Sequence, residues 1–148
     1  MSFNFKQGNI QRYNTYTHSS TTALKLTSEN SGSMIFCDCS ANDITIDLPP
    51  VEDSVGLNYD FLVVGALATN TINIRSIDKS GNTENKIQIT GNFALGNTAT
   101  LTIGGGALKG DRLQIVSTGS IWYLNNFVNN NTLSISDVEI DAEDLVVS

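Results

Sequence analysis

The chain has few of the residues on which most catalytic and metal sites depend. Its 148 residues include one histidine, His18, and two cysteines, Cys37 and Cys39. A nucleophile needs an adjacent base, and a metal site needs a cluster of Cys, His or carboxylate ligands. The sequence also has no Gly-x-Ser-x-Gly segment. It therefore predicts no catalytic residues, no bound metal and no cofactor, and argues against an enzyme.

Basic residues and long apolar runs are also scarce. Eight Lys and Arg stand against fifteen Asp and Glu, which gives a net charge of −7. Nucleic-acid binding draws much of its affinity from clustered basic residues, so this balance predicts no nucleic-acid partner. No run of about 18 apolar residues occurs, and the first residues lack the apolar core of a signal peptide. We expect a soluble protein that is made in the cytoplasm and has no membrane partner.

Strand patterns fill most of the chain. Short β-branched or alternating runs end at Gly, Asn, Ser or Pro, while Ala, Leu, Glu and Lys are sparse. The runs are LKLT, MIFCDC, DITIDL, YDFLVV, TINIRSI, KIQIT, ATLTIG, RLQIVS and IWYLNNF. Many short strands at regular spacing predict an all-β fold, specifically a mostly antiparallel β-sandwich with extended ends. A jelly-roll-like or small barrel variant is the alternative.

Cys37 and Cys39 lie two residues apart on a predicted strand, so their side chains point to the same face. Ile35 shares that face. Burial as reduced thiols is the favoured interpretation, because a Cys-x-Cys pair alone is weak evidence for a metal.

Three breaks between strands have readable chemistry. Pro49-Pro50 predicts the end of strand pairing, because proline lacks the ladder donor. Residues 78–85, with Gly81, predict a hairpin loop. The triple glycine at 104–106 predicts a tight turn or a bulge, since the Lys and Ser or Thr of a phosphate-binding loop do not follow it.

The two ends differ from the middle in composition and charge. We predict an extended N-terminal arm over residues 1–20, with a disordered tail as the alternative, a β-sandwich domain over 21–132 and an acidic C-terminal tail over 133–148. The alternation of acidic and apolar residues in the tail predicts a strand with one acidic face. One helical turn from Ser136 is the alternative. The basic arm of one copy and the acidic tail of another are expected to associate in a salt-sensitive way. The candidate partner-binding residues are Phe3, Phe5, Arg12, Tyr13, Tyr16, Asp137, Glu139 and Asp141.

Two segments resemble a pattern of small structural proteins from tailed bacteriophages. The first is a strand ending Leu-Pro-Pro at 48–50, followed by Gly-x-x-Tyr-x-Phe-x-Val at 56–63. The second, Gly-Asp-x-Leu-x-Ile-Val-Ser-x-Gly-x-x-Trp-Tyr, spans 110–123. The resemblance covers roughly residues 28–127 and includes no catalytic signature.

The resemblance implies a virion protein of a phage, made in the host cytoplasm. The favoured role is a capsid decoration, or cement, protein that binds the outer surface of the shell, with the major capsid protein and further copies of itself, in a trimer, as partners. A receptor- or carbohydrate-binding module of a tail fibre or tail tip is the alternative. Trp122 and Tyr123 face opposite sides of a strand, so at most one joins the core while the other is a candidate exposed aromatic contact.

Overall fold

The computed structural model describes residues 14–67, 69–89, 97–103, 109–128 and 138–139, with backbone alone for 89, 125–128 and 138–139. These residues form an all-β fold. The strands are β1 (Thr15–His18), β2 (Leu24–Lys25), β3 (Met34–Asp38), β4 (Ile44–Leu48), β5 (Asn58–Gly65), β6 (Ile72–Ser76), β7 (Ile87–Ile89), β8 (Thr100–Ile103), β9 (Arg112–Ser117), β10 (Trp122–Val128) and β11 (Val138–Glu139). Two short 3₁₀ turns, Ser28–Asn30 and Val51–Asp53, interrupt the connections.

The strands build two sheets. One has six strands in the order β1-β3-β5-β9-β10-β7, and the other has five in the order β11-β8-β6-β4-β2. From β1 to β9 the chain changes sheet at every strand. In consequence β1, β3 and β5 are neighbours in one sheet, and β2, β4 and β6 are neighbours in the other. Among the described strands, β9 and β10 are the one pair that follow one another in sequence and form a hairpin.

The prediction of a mostly antiparallel arrangement is wrong. Five of the nine strand pairs described are parallel and four are antiparallel, so both sheets are mixed. The reason is the change of sheet: through β6 the chain leaves a sheet, runs along the other and returns parallel to the strand it left, whereas β8 returns antiparallel to β6. The mixed sheets also rule out the jelly-roll-like alternative, since the strands of a jelly roll are antiparallel. The two separate sheets also differ from a single closed barrel.

One hydrophobic core joins the two sheets. In β6, β8 and β9 alternate residues are buried, as the period of two requires, whereas β3, β4 and β5 also bury consecutive residues. The six-stranded sheet contributes side chains such as Ile35, Tyr59 and Trp122, and the five-stranded sheet contributes others such as Ile46 and Ile74. We call the face of each sheet toward this core its inner face and the opposite one its outer face.

The connections at one end of the two sheets lie close together. There β2, β4 and β6 finish, β5 begins, and Pro49-Pro50 follows β4 directly. The prediction that Pro49-Pro50 ends the strand is confirmed, because β4 finishes at Leu48. We call this end of the molecule the proline end.

The predicted hairpin loop at 78–85 closes on itself. Ile77 and Thr83 form an antiparallel bridge, and the Asp78 carboxylate accepts the backbone N–H groups of Ser80 and Asn82. Gly81 has a φ of 89°, which favours glycine. The triple glycine at 104–106 lies outside the described residues.

The predicted ends are described only in part. Thr15–His18, within the predicted arm of 1–20, forms β1 and pairs with β3 in parallel. Val138–Glu139, within the predicted tail of 133–148, pairs with Ile103 and Thr102 of β8 as an extended strand, not as the helical turn kept as an alternative. The other residues of both ends lie outside the described residues.

Candidate interaction surfaces

The outer face of the six-stranded sheet is rich in apolar side chains. In β3, β5, β9 and β10 the residues between the core positions point to this face. We call this surface the apolar face; its apolar members are Met34, Phe36, Leu62, Val64, Val116 and Tyr123. A sheet that meets water normally carries polar residues on its outer side. These positions therefore mark a surface that is suited to being covered.

One ion pair lies within the apolar face. Arg112 Nη2 donates to Asp60 Oδ2 at 3.0 Å, and the Asp60 side chain is only 4% exposed. The other oxygen, Oδ1, is buried and has no hydrogen-bond partner in the described part of the chain. A buried carboxylate is costly unless it is paired. Arg112 compensates half of Asp60 and leaves one acceptor available.

The outer face of the five-stranded sheet is polar. Lys25, Asp47 and Arg75 are register neighbours across β2, β4 and β6. Arg75 donates to both oxygens of Asp47, at 2.7 and 2.9 Å. This two-pronged contact raises the pKa of Arg75, because the hydrogen bonds to Asp47 stabilise its charged form. We call this surface the polar face.

A second row of polar side chains crosses the polar face. Thr45, Asn73 and Thr102 are register neighbours on β4, β6 and β8. Thr102 Oγ1 donates to Asn73 Oδ1 at 2.9 Å. The two outer faces therefore differ in character: among the described positions one combines its apolar members with Asn58, Gln114 and the Asp60–Arg112 ion pair, and the other is polar throughout.

A cleft opens at the proline end. Its volume is about 340 Å³, near the lower limit for small-molecule sites. Its walls combine apolar residues, including Leu48, Leu57 and Ile77, with the charged Lys25 and Asp53. Such a lining suits an apolar group that carries a polar end, such as a side chain of a partner protein.

The tryptophan of the Trp-Tyr pair belongs to the core. Trp122 is fully buried, and its ring lies 5.9 Å from that of Tyr59, centroid to centroid, at an interplanar angle of 40°. Tyr59 Oη donates to the Thr27 carbonyl at 2.7 Å, which fixes the Tyr59 ring. Trp122 is therefore not an exposed contact. Tyr123 is half-buried on the apolar face, opposite Val116 in the register.

The remaining predicted partner-binding residues are placed unevenly. Tyr16 is 43% exposed, and its hydroxyl accepts a hydrogen bond from Asn30 Nδ2 at 2.9 Å. Glu139 pairs with Thr102 through the backbone. The rest of the set lies outside the described residues: Phe3, Phe5, Arg12, Tyr13, Asp137 and Asp141.

The single histidine and the two cysteines are buried within the fold. His18 Nε2 donates to the Thr45 carbonyl at 3.0 Å, which links β1 to the other sheet. The prediction of buried, reduced cysteines is confirmed, since Cys37 and Cys39 are buried and free. Burial raises the pKa of both thiols, and the proximity of Cys39 raises that of Cys37 further. Within the described ranges no three His, Cys, Asp or Glu side chains are grouped to hold a metal.

The apolar face was missed by the sequence analysis, although a signal was present. The runs Met34–Cys37 and Phe61–Val64 are apolar without alternation. Unbroken apolar runs are typical of strands that are covered on both faces.

Among the described residues, no helix is long and apolar enough to span a bilayer. No protein-family model matches the chain, and no curated protein matches it either.

Proposed function

We propose that the chain is a structural protein of a tailed-bacteriophage virion, made in the host cytoplasm, that decorates the outer surface of the capsid. The first support is the role of the residues that carry the resemblance. β4 ends at Leu48-Pro-Pro, Gly56 adopts a φ of 78°, and Tyr59, Phe61 and Val63 are core residues. The first half of the pattern thus consists of a strand end, a turn and a core strand.

The second half of the pattern has the same character. Gly110 and Gly119 adopt positive φ values of 94° and 93° at the two ends of β9. Leu113 and Ile115 are buried on β9, and Trp122 is buried on β10. The pattern therefore describes how the body folds, which suits a passive binding module without catalytic residues or a cofactor. We further propose that the two sheets pack face to face as a sandwich, because their inner residues form one core.

The observation that carries the proposal is the position of β1 and β11, the described strands nearest the two chain ends. The edge strand β1 begins beside the starts of β3 and β5, at the proline end. β11 is the edge strand on the far side of the other sheet and is antiparallel to β8, so it also runs toward the proline end. The described strands nearest the two chain ends are thus edge strands of different sheets, with β1 starting at the proline end and β11 directed toward it. This geometry suits a clamp that reaches neighbouring subunits of a shell.

The proposed partners are the major capsid protein and further copies of this chain, arranged as a closed trimer. A protein that binds the assembled shell and not its free subunits stabilises the shell by mass action. Because many copies bind, each contact needs only modest affinity.

The test uses expanded capsids that lack the protein. Purified protein is added, the bound copies per shell are counted, and the melting temperature of the shell is measured. We expect saturable binding and a raised melting temperature. The double variant Asp137→Asn/Asp141→Asn should bind more weakly, whereas the matched variant Glu29→Gln/Asp43→Asn, which removes two exposed charges elsewhere, should bind normally. Absence of saturable binding would exclude the capsid role.

The alternative is a receptor- or carbohydrate-binding module of a tail fibre or tail tip. Because Trp122 is buried, Tyr123 is the aromatic residue of the pair that such a site would use. A protein that fails to bind capsids and binds a glycan, with binding lost on Tyr123→Ala, would establish this role instead.

A further inference from the structure

The middle of the apolar face is closed to water within a single chain. Met34 and Asp60 are register neighbours on β3 and β5 and point away from the core, yet they are only 7% and 3% exposed. The rim of the same face is more open, with Val64 at 37% exposed. If another segment of the same chain covers Met34 and Asp60, their burial needs no partner protein.

The segment that precedes β1 is placed to supply that cover. The Asn14 carbonyl accepts the backbone N–H of Met34 at 2.9 Å, so the chain enters the fold beside the apolar face. A sheet of six strands is about 24 Å wide, since neighbouring strands are about 4.8 Å apart. The thirteen residues before Asn14 extend up to about 43 Å. Residues 1–13 are therefore long enough to cross the whole face.

The chemistry of residues 1–13 complements the apolar face. Phe3 and Phe5 are two residues apart, so an extended segment presents both to one side. The segment holds the cations Lys6 and Arg12 and no acid. The unpartnered Oδ1 of Asp60 is an acceptor for a donor from such a segment.

We propose that in the free protein residues 1–13 lie across the apolar face of their own chain, with Phe3 and Phe5 on the apolar side chains and a donor of the segment at Asp60. Attachment at Asn14 gives the segment a high effective concentration at its own sheet. The proposal concerns the unassembled protein and does not rest on a capsid role.

The test is photo-crosslinking within the full chain. Phe5 is replaced by p-benzoylphenylalanine, dilute protein is irradiated, and the crosslinked peptides are identified by mass spectrometry. An equal mixture of ¹⁴N- and ¹⁵N-labelled chains separates crosslinks within a chain from those between chains. We expect crosslinks within one chain to Met34, Phe36 or Leu62.

Two matched substitutions test the surface. Leu62→Lys places a charge on the apolar face and should reduce the crosslink yield about tenfold, equivalent to ~1.4 kcal/mol of lost docking free energy. Thr45→Lys places the same charge on the polar face and should leave the yield unchanged. Circular dichroism verifies that each variant folds, and Leu62→Gln replaces Leu62→Lys if the latter does not.

Each other outcome overturns the proposal. Crosslinks only between differently labelled chains would assign the face to a neighbouring copy. Crosslinks to the polar face, or a yield that Leu62→Lys and Thr45→Lys change equally, would show that residues 1–13 do not occupy the apolar face. A yield no higher than that of denatured protein would show that they occupy no fixed place.

Discussion

Trp122 shows at the residue scale how one side chain joins several parts of the fold. It lies on β10, contacts Tyr59 of β5, and its backbone N–H donates to the Lys86 carbonyl at 2.7 Å. Since Tyr59 also donates to the Thr27 carbonyl, the pair connects four separate segments: β10, β5 and the segments that hold Lys86 and Thr27. A large aromatic at such a point contributes much of the buried area of a small β domain.

Replacing Trp122 is therefore expected to be far more costly than replacing its neighbour. Trp122→Ala should lower the free energy of unfolding by about 3–5 kcal/mol, through lost burial and the cavity left behind. Tyr123→Ala, on the outer face, should cost about 1 kcal/mol or less. Urea unfolding followed by circular dichroism measures both. Equal losses for the two variants would contradict the placement of Trp122 in the core.

The buried thiol of Cys37 predicts a loss of stability at alkaline pH. Burial raises the pKa of Cys37 well above its ordinary value and that of Tyr59 to about 12. Above about pH 9 the unfolded chain therefore releases protons that the folded chain retains, so stability is full at lower pH and falls as pH rises.

Cys37→Val removes one of these groups. Between about pH 9.5 and 11, the unfolding free energy of the wild type should fall more steeply than that of the variant by ~1.4 kcal/mol per pH unit. Chemical unfolding at several pH values gives both slopes. Parallel slopes would show that Cys37 ionises as readily when folded as when unfolded.

At the scale of elements, the hairpin between β9 and β10 depends on Gly119. Its φ is 93°, and a Cβ built there would lie 2.5 Å from Cγ2 of Val55. Gly81, in the loop after β6, has a φ of 89° and open space around it. Comparing substitutions at the two glycines therefore separates the free-energy cost of backbone strain from that of a steric clash.

We expect Gly81→Ala to cost about 1 kcal/mol, the penalty of a left-handed residue with a side chain. Gly119→Ala should cost more, about 2 kcal/mol, because Val55 must also move. Unfolding midpoints in urea compare the two. If Gly119→Ala is the milder change, the contact with Val55 does not constrain the turn.

The positions of strands could be predicted from the sequence, but their partners could not. All nine predicted runs coincide with strands, from LKLT at β2 to IWYLNNF at β10. β1 was missed because TYTH alternates weakly and is exposed at three of its four positions. Alternation reports which face is buried and carries no information about which strand lies alongside. The parallel neighbours therefore emerged only from the structure.

The candidate surfaces also divide into features that the local sequence predicts and features that depend on the tertiary structure. The opposite orientation of Trp122 and Tyr123 follows from strand geometry alone, and the burial of Cys37 and Cys39 was predicted from their shared face. The cleft at the proline end gathers residues from β2, β4 and the loops after β4 and β6. Such a site depends on tertiary contacts that no local pattern encodes.

At the scale of the whole molecule, the changes of sheet predict slow folding. Except in the hairpin of β9 and β10, every strand pair joins segments with at least one other strand between them in sequence. Closing such loops costs entropy before any contact compensates for it. Refolding should therefore take about milliseconds to seconds. Stopped-flow fluorescence of Trp122 measures it, and a microsecond phase that recovers the full signal would contradict this prediction.

The position of β1 and β11 at opposite edges has a mechanical consequence. Among the described residues, β1 is held in its sheet by β3 alone, and β11 by two residues of β8. Tension applied between the two ends of the chain reaches these edge strands before it reaches the strands that form most of the core. They would detach first and lengthen the molecule while its centre stays folded, so the edges of the sheets would yield to tension before the core does.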